Sequence, residues 1–319
     1  MGLECEPLVR GRIANALATA AAVIVALLLL VRWTGWPVVS PLVQLVAFPQ
    51  LLWIALLFAA VASLLSRVRS LRWWLLALTV AASWPPLSAS PGASDASRDL
   101  TVISANVLRG TATEGALALA QAEDADLLFL VECDFRCAEL VEDPSIKTDF
   151  PYRVVAPGRH ANGAAILSRY PLSEAALDLR TSGFSESAEA VLNLPGGVQA
   201  LLKLAHPHPP LPSALQEWHG ELAQLGAISE STVGVPMIMA GDFNATAEHR
   251  AFRDIVTGGG LVDAGRVSGH IGGTWPVKWP VWAGTEIDHI LTRGFAVDTV
   301  TSVEIPVADH RALIARLRY

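Results

Sequence analysis

Charge is missing from long intervals of this sequence. Residues 13–31, 33–66 and 73–94 contain no Asp, Glu, Lys or Arg. Intervals of that kind exclude an ordinary solvated surface. One of about 20 apolar residues is long enough to cross a bilayer core of about 30 Å. Lysine is scarce beside arginine, and no basic stripe appears anywhere. From Arg98 onward, 17 Lys and Arg stand against 27 Asp and Glu, a net of −10. A protein that grips a nucleic-acid backbone usually carries such a stripe. Cysteine is rare, at 3 residues. Two neighbouring cysteines without further ligand cysteines do not make a zinc site. There is no internal repeat and no glycine-rich phosphate loop.

What is present divides the chain. Of 319 residues, 52% are hydrophobic, and the excess is concentrated before Asp95. We expect a membrane region over residues 1–90 with three transmembrane helices, at about 13–31, 42–65 and 73–89. Residues 91–98 read as a Ser- and Pro-containing linker. Residues 99–319 are long enough to bury one α/β core. Arg10 and Arg12 precede the first span, and Arg67, Arg69 and Arg72 lie between the second and third. The positive-inside rule puts both flanks in the cytoplasm, so three crossings deliver the domain outside. A cleaved signal peptide fits less well, because the first apolar run exceeds a typical signal core and further spans follow. Pro85 and Pro86 interrupt the third span; if it lies only in the interface, the topology inverts. Cys133 and Cys137 share a helical face at a distance that a disulfide can bridge. An oxidising exterior would permit the bond, and two buried thiols fit the spacing equally.

Within the domain, apolar runs of strand length fall at residues 100–105, 126–131, 164–167, 198–205, 235–240, 287–291 and 312–317. Helical spacing appears at 113–123 and 211–229. Strands and helices alternate, but hairpin-like pairs also occur, as around 188–205. This pattern predicts an α/β fold with a mixed sheet and helices outside.

Polar residues recur where these apolar runs stop. Asn106, Glu132, His206, the pair Asp242 and Asn244, the pair Asp288 and His289, and the pair Asp309 and His310 all do so. Any one of them fits a turn cap. Six together point to a rim where strand ends converge on a ligand. Glu132, Asp242 and Asp309 are hard oxygen donors suited to Mg²⁺ or Mn²⁺. Asn106, Asn244, His206 and His310 can donate hydrogen bonds to a phosphoryl group. Asp288 can accept from one nitrogen of His310 and fix its tautomer.

Seven segments then line up in one order: Ala-Asn106-Val, Val-Glu132, Gly163-Ala-Ala-Ile-Leu-Ser-Arg169, Ala-His206, Gly-Asp242-Phe-Asn244, Ile-Asp288-His-Ile and Ala-Asp309-His310. In this the chain resembles the endonuclease/exonuclease/phosphatase superfamily. That group includes deoxyribonuclease I, abasic-site endonucleases, neutral sphingomyelinases and inositol-polyphosphate phosphatases. The resemblance covers residues 100–319. It implies a four-layer sandwich of two mixed β-sheets flanked by helices. It also implies a metal-dependent phosphoesterase with Glu132 as principal metal ligand and Asn106 and Asp309 close by. Asp242 would activate or orient the attacking water, and Asn244 would hold it or the phosphate. His310, supported by Asp288, and His206 would face the phosphate. Leu108 stands where abasic-site endonucleases have an aspartate, which argues against that activity.

Three spans ahead of such a domain resemble the VanJ-type membrane proteins linked to teicoplanin resistance. That likeness implies a lipid-linked phosphate of the cell envelope as substrate, with the bilayer as partner. A nuclease of the same superfamily is the alternative, disfavoured by the acidic domain. A non-catalytic envelope protein is the third reading. His208 reads as an exposed loop histidine, and His289 as pointing away from the site. The tryptophans of Gly273-Thr-Trp-Pro-Val-Lys-Trp-Pro-Val-Trp282 either pack a proline-rich turn or rest on the bilayer.

Overall fold

The computed structural model describes residues 5–36, 38–65, 69–83, 97–175, 179–270 and 272–319. The chain forms two compact units: Met1–Ser88 with Ala247–Arg250, and Ala89–Thr246 with Ala251–Tyr319.

Among the described residues, the first unit holds four helices: α1 (Cys5–Thr34), α2 (Leu42–Val46), α3 (Pro49–Leu65) and α4 (Arg69–Ser83). Val25, Leu28, Leu52, Leu56 and Ala82 pack together from α1, α3 and α4. Other large apolar side chains on the same helices are exposed, including Ile24, Ile54, Leu57, Phe58 and Trp74. The three expected spans are corrected here. Among the described residues, one helix is long and apolar enough to cross a membrane, over Asn15–Thr34. The expected span 42–65 is broken between Val46 and Pro49, because proline cannot donate the backbone bond that would continue α2. Among the described residues α3 runs for 17 and α4 for 15; residues 66–68 between them, and those just after Ser83, lie outside the described residues. The residues of the expected linker up to 96, and Pro85 and Pro86, lie outside the described residues.

The second unit begins with β1 (Asp99–Asn106), α5 (Thr113–Ala122), β2 (Leu127–Val131), α6 (Phe135–Val141), α7 (Pro144–Asp149), β3 (Tyr152–Ala156) and β4 (Ala164–Ser168). It continues with β5 (Leu172–Ser173), β6 (Glu189–Leu194), β7 (Val198–Ala205), α8 (Leu215–Ser231), β8 (Met237–Asp242) and α9 (Arg250–Gly258). It closes with β9 (Val262–Asp263), α10 (Ala264–Ser268), β10 (Asp288–Arg293), β11 (Ala296–Glu304) and β12 (Arg311–Arg318).

Two six-stranded sheets form, in the orders β11-β12-β1-β2-β4-β3 and β5-β6-β7-β8-β10-β9. Each has one parallel pair at its centre, β1 with β2 and β7 with β8, among antiparallel neighbours. Both are therefore mixed. Alternation along the strands sends Val102, Phe129 and Ile166 from one sheet, and Leu202, Ile238 and Ile290 from the other, into a shared core. The opposite face of the first sheet, with Ile103, Leu128 and Leu130, packs on Ala116, Leu117 and Ala120 of α5 and on α6 and α7. Burial of both faces explains why these strands read as continuous apolar runs. The edge strand β11 was not expected from the sequence, since its residues alternate between buried and exposed without an apolar run.

Candidate active site

Strand register brings the polar residues to one edge. β1 and β2 run parallel with Asn106 opposite Val131, so Asn106 and the next residue of the neighbouring strand, Glu132, leave the sheet side by side. β7 and β8 run parallel with Ala205 opposite Gly241, which places His206 beside Asp242. β10 runs antiparallel to β8 and sets Asp288 directly opposite Asp242. β12 runs antiparallel to β1, so His310 enters at the same edge. Asp288 and His310 thus sit where strands begin. Antiparallel direction, not strand termination, brings them to the rim.

Hydrogen bonds link most of the group. The Asn106 amide nitrogen donates to Glu132 Oε1 at 3.1 Å and to Asp242 Oδ2 at 3.3 Å. Asn106 Oδ1 accepts from Leu108 N, and Glu132 Oε2 accepts from Arg109 N. Asp242 Oδ1 accepts from Asn244 N at 2.8 Å. Its Oδ2 lies 3.8 Å from His310 Nε2 and 4.0 Å from His206 Nε2. His310 Nδ1 meets Asp288 Oδ2 at 2.8 Å. The amide nitrogen of Asn244 donates to the Pro207 carbonyl at 3.0 Å, which fixes the orientation of the side chain. Asp309 stands apart from these bonds, and its Oδ1 is buried without a hydrogen-bond partner. His206 Nδ1 is buried without one as well.

The backbone is strained at this edge. Leu108, Arg109, Glu132 and Asn244 all have positive φ, between 44° and 60°. Such conformations are uncommon for these residue types and gather where a site over-determines the chain. Gly241 of the Gly-Asp-Phe-Asn segment has φ +145°, and a Cβ there would lie 2.1 Å from the Ala205 carbonyl oxygen. Only glycine lets β7 and β8 approach at that point.

Electrostatics separates the roles. Burial first, then the Asp288 charge, pushes the Asp242 carboxyl up to about 7. Burial and the neighbouring His310 hold His206 down at about 3, so it is neutral. Burial alone would also lower His310, but the charges of Asp288 and Asp242 raise it to about 10. His310 is therefore an imidazolium at neutral pH, with Asp288 fixing one nitrogen and Asp242 facing the other.

The donors suit a hard divalent cation. Asp242 and Asp288 bring carboxylate oxygens within 4.8 Å of each other and of a His310 ring nitrogen, although His310 as an imidazolium has no lone pair to give a metal. Glu132 and Asp309 add two more carboxylates at the edge, one with an oxygen lacking any partner. Oxygen-rich sets of this kind match Mg²⁺-type ions better than zinc.

Comparison with known proteins decides what this edge belongs to. The Endonuclease/Exonuclease/phosphatase family matches residues 103–311, which contain every residue of this edge. The chain belongs to that family. It is accordingly a metal-dependent hydrolase of phosphoester bonds, and the family's enzymes use divalent metals. No curated protein sequence matches it. Solved structures share the fold at low identity. An endonuclease/exonuclease/phosphatase from Beutenbergia cavernae is 18% identical with a TM-score of 0.55, over 70% of this chain and 72% of that one. D. rerio TDP2 complexed with single-strand DNA product is 16% identical, TM-score 0.56, over 70% and 100%. The human Nocturnin catalytic domain with bound sulfate is 16% identical, TM-score 0.53, over 70% and 95%.

In this family domain further residues support the edge, and of these Trp218 and Glu221 had no sequence signal strong enough to single them out. Thr274 Oγ1 accepts from Ile287 N and Asp288 N and so seats the start of β10. Trp218 Nε1 donates to the Asn244 carbonyl. Glu221, buried on α8, accepts from His208 N and Phe184 N and meets His208 Nδ1 at 2.7 Å. His208 is thus a tethered loop residue. His289 points away from the edge, between Asp263 at 3.0 Å and the Ala245 carbonyl at 3.0 Å. Cys133 and Cys137 form a disulfide just beyond Glu132.

Proposed function

We propose that this protein is a membrane-anchored phosphoesterase that hydrolyses a phosphate ester or pyrophosphate of a lipid-linked cell-envelope substrate with Mg²⁺, or alternatively Mn²⁺. The observation that carries the chemistry is the chain of contacts Glu132–Asn106–Asp242–His310–Asp288, half-buried at Glu132 and buried beyond it.

Glu132, Asn106 and Asp309 would hold the cation, which when bound neutralises phosphate oxygens and favours water attack. Asp242 takes the proton of the attacking water through Oδ2, while Asn244 N holds its Oδ1. His310 Nε2 donates to a phosphate oxygen as charge redistributes, and neutral His206 donates a second bond. Asp288 keeps His310 oriented and charged.

Three features support a membrane setting. The Asn15–Thr34 helix is long and apolar enough to cross a bilayer. Arg10 and Arg12 precede it, which favours an N-terminus inside and the domain outside. The Cys133–Cys137 disulfide suits an oxidising exterior. A role in teicoplanin resistance would follow from such a substrate. The nuclease reading draws on the fold shared with D. rerio TDP2, and the net charge of −10 from Arg98 onward weighs against it.

A release assay on detergent-solubilised full-length protein tests this. Lipid pyrophosphate, phospholipid, nucleotide and DNA are compared with and without Mg²⁺. Preferred, Mg²⁺-dependent release from a lipid phosphate is expected. Preferred cleavage of DNA, or lipid hydrolysis that survives EDTA or Asp242→Ala, would overturn it.

A further inference from the structure

The loop between α10 and β10 carries an exposed aromatic patch beside the active site. Trp282 is 78% exposed, Trp279 49%, and Val281 is exposed between them. Val307, on the turn between β11 and β12, is 70% exposed and holds positive φ. The two loops are joined, because Val277 N donates to the Asp309 carbonyl at 2.8 Å. The patch also begins at the site itself: the Trp275 and His310 rings are 6.4 Å apart.

This patch is held in shape. Arg311, buried, donates to the carbonyls of Gly273, Val277 and Trp279 and pairs with Glu304. A surface organised in advance loses little conformational entropy on binding. Large exposed indoles on such a platform mark an interaction site rather than ordinary surface. Charge indicates the partner. From Gly273 to Thr285 the segment has one charged residue, the exposed Lys278, in a domain of net −10. Indoles on a nearly uncharged segment, in a chain whose Asn15–Thr34 helix is long and apolar enough to cross a bilayer, match the headgroup layer of a membrane, where tryptophan concentrates. Aromatic residues also stack on nucleic-acid bases, but backbone binding needs a basic groove. Val281 and Val307 add apolar surface that suits acyl chains.

We propose that Trp279, Val281, Trp282 and Val307 rest on a lipid bilayer and hold the active-site edge at the membrane surface. This rests on the reading of the protein as a phosphoesterase of lipid-linked phosphates, and it names how that substrate reaches the site.

The test uses full-length protein in vesicles of phosphatidylcholine and phosphatidylglycerol. Wild type is compared with the double variant Trp279→Ser, Trp282→Ser. Lipids brominated near the headgroup quench nearby indoles, and the difference between the two proteins isolates the loop. Quenching of that difference emission is expected. Turnover of a lipid pyrophosphate in the vesicle should fall about tenfold in the variant, roughly the loss of one interfacial anchor. Turnover of a water-soluble phosphodiester should stay within about twofold, well below that tenfold step. If the difference emission is unquenched by lipid, the proposal is overturned whatever the activity. An equal loss on both substrates overturns it too, because the loop then shapes the site. Quenching by a single-stranded oligonucleotide instead of by lipid assigns the patch to nucleic acid. Lipid quenching without any lipid hydrolysis upholds the surface and overturns only the substrate reading.

Discussion

His310 Nδ1 lies 2.8 Å from Asp288 Oδ2, and both side chains are buried. The carboxylate keeps the imidazole charged and aimed. Asp288→Asn retains the shape and removes the charge. We expect kcat to fall by about 10²- to 10³-fold, the usual worth of one donor that stabilises developing charge. Melting temperature should change little. Nitrogen-15 NMR of the metal-free variant should show the His310 pKa well below its wild-type value of about 10. An unchanged His310 titration would contradict this account of the pair.

Metal removal should abolish hydrolysis. EDTA is expected to bring activity to background and Mg²⁺ to restore it. Asp309, whose Oδ1 has no hydrogen-bond partner, is the carboxylate most available to a cation. Asp309→Asn should raise the Mg²⁺ concentration for half-maximal activity by at least about tenfold. The upward shift of melting temperature with Mg²⁺ should weaken in parallel.

Stability should depend on pH through His289 and Asp263. Burial would lower His289, but the Asp263 charge and hydrogen bond raise it from 6.5 to about 9. Burial would raise Asp263, but the His289 charge holds it below 3.8. The histidine contribution is full below 6.5 and disappears as pH rises through about 9. The aspartate contribution is present above 3.8 and is lost as pH falls below that. The stability that this pair contributes should therefore be constant between these limits, read as the difference in denaturant unfolding between wild type and a variant lacking both side chains. His289→Leu strands a buried carboxylate, so it should cost about 3–5 kcal/mol near neutrality. Because His289 also holds the Ala245 carbonyl, kcat should drop with it.

Gly241→Ala should be costly although it adds one methyl. The new Cβ would meet the Ala205 carbonyl oxygen at 2.1 Å, at a φ that alanine avoids. The strain is on the order of 1–3 kcal/mol. It would shift Asp242 against Asp288, so activity should fall more than stability. Circular dichroism and kcat together check this.

Much of the second unit was legible in the sequence. The runs at 100–105, 126–131, 164–167 and 198–205 became β1, β2, β4 and β7, because strands buried on both faces must be apolar throughout. The polar residues at their ends were legible for the same reason, since each interrupts such a run. β11 and the short helices α6 and α7 were not, because partly exposed elements have weak periodicity. Three spans are expected from composition and the described residues give one helix of crossing length, because composition registers apolar length but not the break between Val46 and Pro49.

The sequence by itself determined which chemistry is available: carboxylates, imidazoles and amides at the ends of apolar strands, a glycine before Asp242, and one apolar helix of crossing length. Tertiary structure alone decided which of them meet. Antiparallel pairing of β10 with β8 set Asp288 opposite Asp242 and turned His289 to the far side, toward Asp263. Residues 22 apart in the chain, Asp288 and His310, became a bonded pair only because two sheets share one core. Register and sheet packing are long-range, and no local pattern encodes them.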